Sequence, residues 1–316
     1  MKDDFVMKPE SFAKKLIEIL KSKFSRKLEF DYQCVLKTND CIKPAILVRE
    51  PEGYVAKTIY IDGLYKKHTE VGANLEEIAE GIKNICEESS DFEKIITAEL
   101  FAKMENLDFL LGGNVMLKLV NKEKSETFLK GKTYIPFLDL AIVFYMTLTD
   151  GVDNSLGTVA IPEICSKEWG ISLEDAYNKV LESTEKNYPI HRVTMKEFLI
   201  ELLNDAFGDI EEIDKLDLAE DMYIQTNTQK INGSATLLYK NNLKRFCEEK
   251  GISYLYIIPS SQHEVILVPC KQQGDEQQLQ QMIRDVNASQ VQEHEVLSDS
   301  LYIYNYDTDM ITIWNE

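Results

Sequence analysis

The spacing of apolar and polar positions divides the chain into amphipathic helices and short strands. Phe12, Leu16, Ile19, Leu20 and Phe24 recur at helical intervals behind Pro9, which predicts a helix over 9–24. Proline suits a first helical turn because its missing N–H would have no partner there. Three β-rich runs follow at 28–36, 42–49 and 57–61. Asn39-Asp40, Pro51-Glu52-Gly53 and Asp62-Gly63 punctuate them, so they predict an antiparallel meander. Asn74 then caps a helix striped with Leu75, Ile78, Ala79, Ile82, Ile85 and Cys86. Another helix is predicted over 91–104.

The middle of the chain is less periodic. A strand is predicted at 115–120. The run 137–148 is almost wholly apolar and fits a buried strand or a buried helix; Ile142, Val143, Phe144 and Tyr145 favour strand. Asp139 lies inside this run, and a buried carboxylate needs a charge or hydrogen-bond partner. A short strand follows at 157–161. Ser172 with Asp175, and Thr194 with Glu197, form capping boxes that open two further helices, the second ended by Gly208. Residues 209–221 carry seven acids and one lysine and read as an exposed linker.

Beyond the linker the rhythm is regular. Strands at 222–226 and 234–239 precede a helix over 242–250 that stops at Gly251. Strands at 254–259 and 265–269 flank a short polar turn. A helix capped by Asp275 follows, and strands at 301–306 and 310–314 close the chain. Short connections make neighbouring strands antiparallel and leave the helices on one face of the sheet. The predicted fold is α+β, with antiparallel sheets and helices packed on one face. It has two regions, 1–208 and a ββαββαββ region at 222–316, joined by the acidic linker 209–221.

Composition narrows the function. Of 316 residues, 44% are hydrophobic and 28% charged, which is globular rather than disordered usage. The formal net charge of -19 repels phosphate backbones, so nucleic acid is disfavoured, whereas a basic protein partner would be attracted. The six cysteines include no C-x-x-C pair, no apolar run reaches the roughly 18 residues of a membrane helix, and the first residues lack a secretory leader. These features predict a reduced cytoplasmic protein without a membrane span. There is no P-loop, no G-x-G-x-x-G and no H-E-x-x-H, so neither a metal nor another cofactor is predicted.

The densest chemistry lies in the turn Ser260-Ser261-Gln262-His263-Glu264, between the two most apolar strands. Ser261 and His263 share strand parity, so their side chains could meet as nucleophile and base. Asp139 or Asp62 would then orient the imidazole. Ser260, Glu264 and Asp62 are the accompanying candidate binding residues. His263 and Glu264, if both on the strand, point to opposite faces and could not chelate one metal. The segment lacks G-x-S-x-G and a following helix. A plain turn, with serine hydroxyls satisfying backbone donors, uses the same residues.

Several segments together resemble a known but uncharacterised family. They are Thr58-Ile59-Tyr60-Ile61-Asp62-Gly63, Phe137-Leu138-Asp139-Leu140-Ala141, Trp169-Gly170-Ile171-Ser172, the Asn227 loop into Gly233-Ser234-Ala235, Pro259-Ser260-Ser261-Gln262-His263-Glu264-Val265-Ile266-Leu267-Val268-Pro269, and Glu295-Val296-Leu297-Ser298-Asp299. The family is a domain of unknown function from Gram-positive, often gut-dwelling, bacteria. The resemblance spans about 12–314 and implies a bacterial cytoplasmic setting; it brings no activity, cofactor or catalytic residue. The leading expectation is a non-enzymatic binding or regulatory protein. The competing one is a hydrolase centred on Ser261 and His263.

Overall fold

The computed structural model describes residues 7–25, 27–51, 56–88, 97–149, 156–207, 222–259, 261–270 and 274–315. The first helix, α1 (Pro9–Lys23), buries Phe12, Leu16 and Leu20 on one face. Strands β1 (Glu29–Leu36), β2 (Ile42–Arg49) and β3 (Lys57–Tyr60) form the expected antiparallel meander. Asp62-Gly63 is more than a turn: it opens α2 (Asp62–Glu70). Helix α3 (Leu75–Glu88) starts behind Asn74, whose side-chain oxygen accepts the Glu76 N–H at 3.0 Å. Ile78, Ala79, Ile82 and Cys86 are buried, while Ile85 is exposed. Helices α1 and α3 and this sheet enclose a core of their own.

Helix α4 (Thr97–Glu105) takes up the later part of the helix predicted at 91–104; residues 91–96 lie outside the described ones. After α5 (Leu107–Leu111) come β4 (Val115–Asn121), α6 (Glu126–Leu129), β5 (Tyr134–Phe137), β6 (Leu140–Thr149) and β7 (Leu156–Ala160). The apolar run 137–148 is therefore not one strand. It folds as a hairpin that pairs Phe137 with Leu140 across Leu138-Asp139, with Leu138 at φ +53°. A turn explains how Asp139 sits in so apolar a stretch: it stands at the strand end, not within it. β6 pairs with β4, β5 and β7 in an antiparallel sheet.

Helices α7 (Glu163–Ser166) and α8 (Leu173–Asn187) follow. The Ser172 box is formed, its hydroxyl oxygen accepting the Asp175 N–H at 3.1 Å. The sequence pattern gave no sign of β8 (Ile190–Thr194), which leads into α9 (Met195–Phe207) through the Thr194–Glu197 box. Gly208 and the acidic run 209–221 lie outside the described residues. Next come β9 (Tyr223–Asn227), α10 (Asn242–Lys250), β10 (Tyr254–Ile258), β11 (Val265–Cys270), α11 (Glu276–Ser289), β12 (Tyr302–Asn305) and β13 (Met310–Ile313). All pair antiparallel in the order β13-β12-β10-β11-β9-β8.

The strand expected at 234–239 is instead a 3-10 segment, Gly233–Leu238. Its edge partner is already taken: β9 pairs with β11 on one side and β8 on the other. The segment closes on itself, with the Thr236 hydroxyl donating to the Gly233 carbonyl at 2.7 Å.

The architecture is α+β. Its largest core joins the two larger sheets, with Leu117 and Phe144 from one facing Leu255, Ile257 and Leu267 from the other. Leu243 and Phe246 of α10 belong to this core, whereas Ile283 of α11 packs with Tyr256 and Ile258 on the opposite face of β10. A strand apolar on both faces needs cover on both. Among the described residues no helix is long and apolar enough to cross a membrane.

Candidate binding site around the Ser261–Glu264 turn

The turn between β10 and β11 is closed by its own side chains. Ser261 is 6% exposed. Its Oγ donates to Glu264 Oε1 at 2.6 Å and accepts the backbone N–H of His263 at 3.0 Å. Ser261 thus meets His263 through the peptide nitrogen and not through the ring that the parity argument paired with it. His263 Nδ1 accepts the Asn232 N–H at 3.4 Å, and Nε2 faces Glu295 Oε1 at 3.9 Å. With Nδ1 as acceptor, the ring proton lies on Nε2, toward the carboxylate.

Two other segments hold the turn from outside. β9 supplies Thr226, whose hydroxyl donates to the His263 carbonyl at 2.7 Å, and the loop after it supplies Ser234, whose N–H and hydroxyl both donate to the Gln262 carbonyl. Gly233 lies between them, so close that an added Cβ would stand 2.4 Å from the His263 carbonyl oxygen. From the far side the 293–298 segment bridges to Ser261 at Val296 and accepts the Gln262 N–H at Glu295. Gln262, 2% exposed, donates its side-chain amide to the His294 carbonyl at 2.9 Å.

The same segment receives the tip of the β1–β2 hairpin. Thr38 donates to the His294 carbonyl at 2.5 Å, and Asn39 Nδ2 donates to the carbonyls of Glu293 and Val296 at 2.7 Å each. Asp40 accepts the N–H groups of Thr127 and Phe128, at 2.8 and 2.7 Å, at the start of α6. Burial works against ionisation of Asp40; the two amides outweigh it, so its pKa sits below the usual carboxylate value. Asn39 and Asp40 both have positive φ, a conformation Asn and Asp tolerate better than most residues.

Electrostatically the seam is mixed. Lys118, on β4, is half-buried, yet desolvation, with repulsion from Lys37, pushes its ammonium down to about 8; Glu295 pulls the other way. Its Nζ lies 5.6 Å from the centre of the Tyr145 ring. Burial and Lys37 also hold His294 below the ordinary histidine value, and its Nδ1 has no hydrogen-bond partner among the described residues.

The remaining candidates lie elsewhere. Asp139 accepts the hydroxyls of Ser298, at 2.5 Å, and Tyr302. Burial, with the neighbouring Asp139 charge, raises the Tyr302 phenol above its usual pKa. Asp62 pairs with Lys43 at 3.4 Å in the N-terminal layer. Neither contacts Ser261 or the His263 ring. Ser260 lies outside the described residues. Among the described residues no three His, Cys, Asp or Glu side chains group as metal ligands.

Four of the six segments that carried the family resemblance therefore converge. The Asn227–Ser234 loop, the Ser261–Glu264 turn and Glu295–Asp299 are hydrogen-bonded together, and Asp139 joins them through Ser298. The model of one protein family, described as a family of unknown function, matches residues 9–306. The chain belongs to DUF5688. No curated protein and no solved structure matches it. In this DUF5688 chain, sequence reasoning missed Gly233, Ser234, Lys118 and the Thr38–Asp40 tip as parts of one site. The Asn39-Asp40 pair marked the tip as a turn, but nothing local signalled where it docks.

Proposed function

We propose that this DUF5688 chain is a non-enzymatic binding or regulatory protein of the bacterial cytoplasm that engages a basic protein partner through its acidic surface. The single observation that carries the reading is the condition of Ser261. Its hydroxyl is spent on Glu264 and on a backbone N–H, while the nearby imidazole is held by Asn232. A nucleophilic serine needs a base on its own oxygen. The net charge of -19 supplies the sign of the partner. The test is affinity capture from bacterial lysate at low and high salt, using the full chain. A basic protein retained at low salt and released at high salt supports the reading. Recovery of no partner at either salt overturns it, as does a hydrolytic activity of the pure protein that Ser261→Ala abolishes.

A further inference from the structure

Three parts of the fold meet along β4, and the cations they bring there outnumber the anions. β4 is an edge strand of its sheet, and both the β1–β2 hairpin tip and the 3-10 segment 233–238 lie against it. Lys118, on this strand, is half-buried beside the Tyr145 ring and makes no hydrogen bond or ion pair among the described residues. Lys37, at the hairpin tip, is also half-buried and has no carboxylate partner there; its Nζ stands 4.6 Å from the centre of the Tyr60 ring. Lys43 follows on β2 but is held by Asp62 at 3.4 Å. The cations feel one another. After burial, Lys37 is the next cause holding the Lys118 ammonium down to about 8. Burial also comes first for His294, and Lys37, Lys43 and Lys118 all lower it further.

The opposing charge is Glu295. Its Oε1 stands between the rings of His294 and His263, at 3.7 and 3.9 Å, and it forms no ion pair with Lys118 or Lys37. One shared carboxylate therefore faces two unpaired ammoniums. A hydrogen-bond deficit coincides with the charge deficit. Asn232, 5% exposed, donates its side-chain amide to the Met116 thioether at 3.7 Å, a weak acceptor, two positions from Lys118 on the same face of β4. The junction thus lacks a negative charge and an oxygen acceptor in one place. It is open to solvent: both lysines keep part of their surface in water, and the neighbouring His263 and Glu295 side chains are 38% and 29% exposed. The net charge of -19 does not oppose an anion here, because charges beyond about 8 Å are screened at physiological salt and the lysines set the local field. Two ammoniums call for a dianion rather than a single carboxylate, and lysine binds phosphate as a point charge.

We propose that this junction binds a small phosphate dianion, free or as a phosphate monoester, between Lys118 and Lys37. The site does not depend on the surface that would take a basic protein, so the two readings stand or fall separately. The test is thermal melting of the full chain with inorganic phosphate, glycerol phosphate or acetate at about 10 mM, chloride holding the ionic strength constant. A phosphate-bearing probe is expected to raise the melting temperature saturably by about 2 °C or more, and acetate is not. Whichever of the two phosphate probes acts at the lower concentration names the source. Lys118→Met removes an unpaired ammonium, so it should fold at least as stably as the parent, yet it should need roughly tenfold more phosphate for the same shift. Lys37→Met should weaken the response in the same way. Lys179→Met is the control: it is exposed on α8, whose Ala176 and Val180 pack with Leu117 on the other face of β4, and it should respond as the parent does. No shift with either phosphate probe, an equal shift with acetate, or a shift that survives Lys118→Met or Lys37→Met overturns the proposal.

Discussion

Gly233→Ala tests whether the turn and the loop after β9 are as tightly interlocked as the distances indicate. The glycine is not at positive φ, so the penalty is one of space and not of backbone conformation. A methyl carbon there would lie 2.0 Å from Thr226 Oγ1, 2.4 Å from the His263 carbonyl oxygen and 2.8 Å from the Asn227 nitrogen. The Thr226 hydroxyl could rotate away, but only by giving up its bond to the His263 carbonyl. The other two atoms are backbone. A carbon–oxygen contact settles at roughly 3.3 Å or more, so the loop and the turn must part by close to an ångström. That shift also stretches the two Ser234 bonds to Gln262. Overpacking at about 1–3 kcal/mol and two or three weakened hydrogen bonds at about 1 kcal/mol each give a loss of about 3–6 kcal/mol. At about 2 °C per kcal/mol for a chain of this size, the melting temperature should fall by roughly 6–12 °C. Urea unfolding should show a lower midpoint with an unchanged slope. Gly63→Ala, with nothing within 4 Å of the added carbon, is the control and should not destabilise. A Gly233→Ala variant that melts within about 2 °C of the parent would refute the interlocking.

Three further outcomes follow from the same geometry. Ser261→Ala should lower stability by about 1–2 kcal/mol in denaturant titration, through loss of its two hydrogen bonds. Lys118→Met should stabilise the chain at pH 7, by something on the order of 2 kcal/mol after discounting for the half-buried side chain. Its folded pKa of about 8 lies below the unfolded value, so the penalty is complete below pH 8 and is relieved as pH rises toward the unfolded value; the advantage of the variant in melting scans should shrink over that window. Asp40→Asn keeps the left-handed backbone but weakens the anchor on α6, and should cost about 1 kcal/mol at pH 7. Because the folded pKa of Asp40 is depressed, its contribution is present above the unfolded carboxylate pKa and lost as pH falls through the folded one, so parent and variant should converge in acid unfolding.

Local pattern revealed most elements but little of how they meet. Capping boxes at Ser172 and Thr194 marked two helix starts because the signal lies within four residues. The strand at 190–194 escaped notice because His191 and Arg192 interrupt its apolar pattern, and its partner Asn227 comes only after the acidic run. The 234–239 segment has a strand-like composition, and only the knowledge that both edges of β9 are filled excludes it. At the turn, parity suggested that the Ser261 and His263 side chains could meet, whereas the serine oxygen meets the peptide nitrogen. It could not say that a peptide N–H would reach the serine oxygen first, nor that Asn232 would claim the ring. Asp139 showed its need for partners plainly, yet Ser298 and Tyr302 lie about 160 positions away.

The anchoring of α6 has a kinetic consequence. Its own Ser125 makes no capping bond; the first amides are satisfied by Asp40, supplied from 87 positions earlier. A helix of four residues cannot nucleate unaided in water. Closing so long a loop carries an entropic cost that must be met before the amides gain their acceptor. The start of α6 is therefore a late event in folding. It waits until the N-terminal hairpin exists and has found the rest of the chain, so its amide protection reports docking rather than local helix formation.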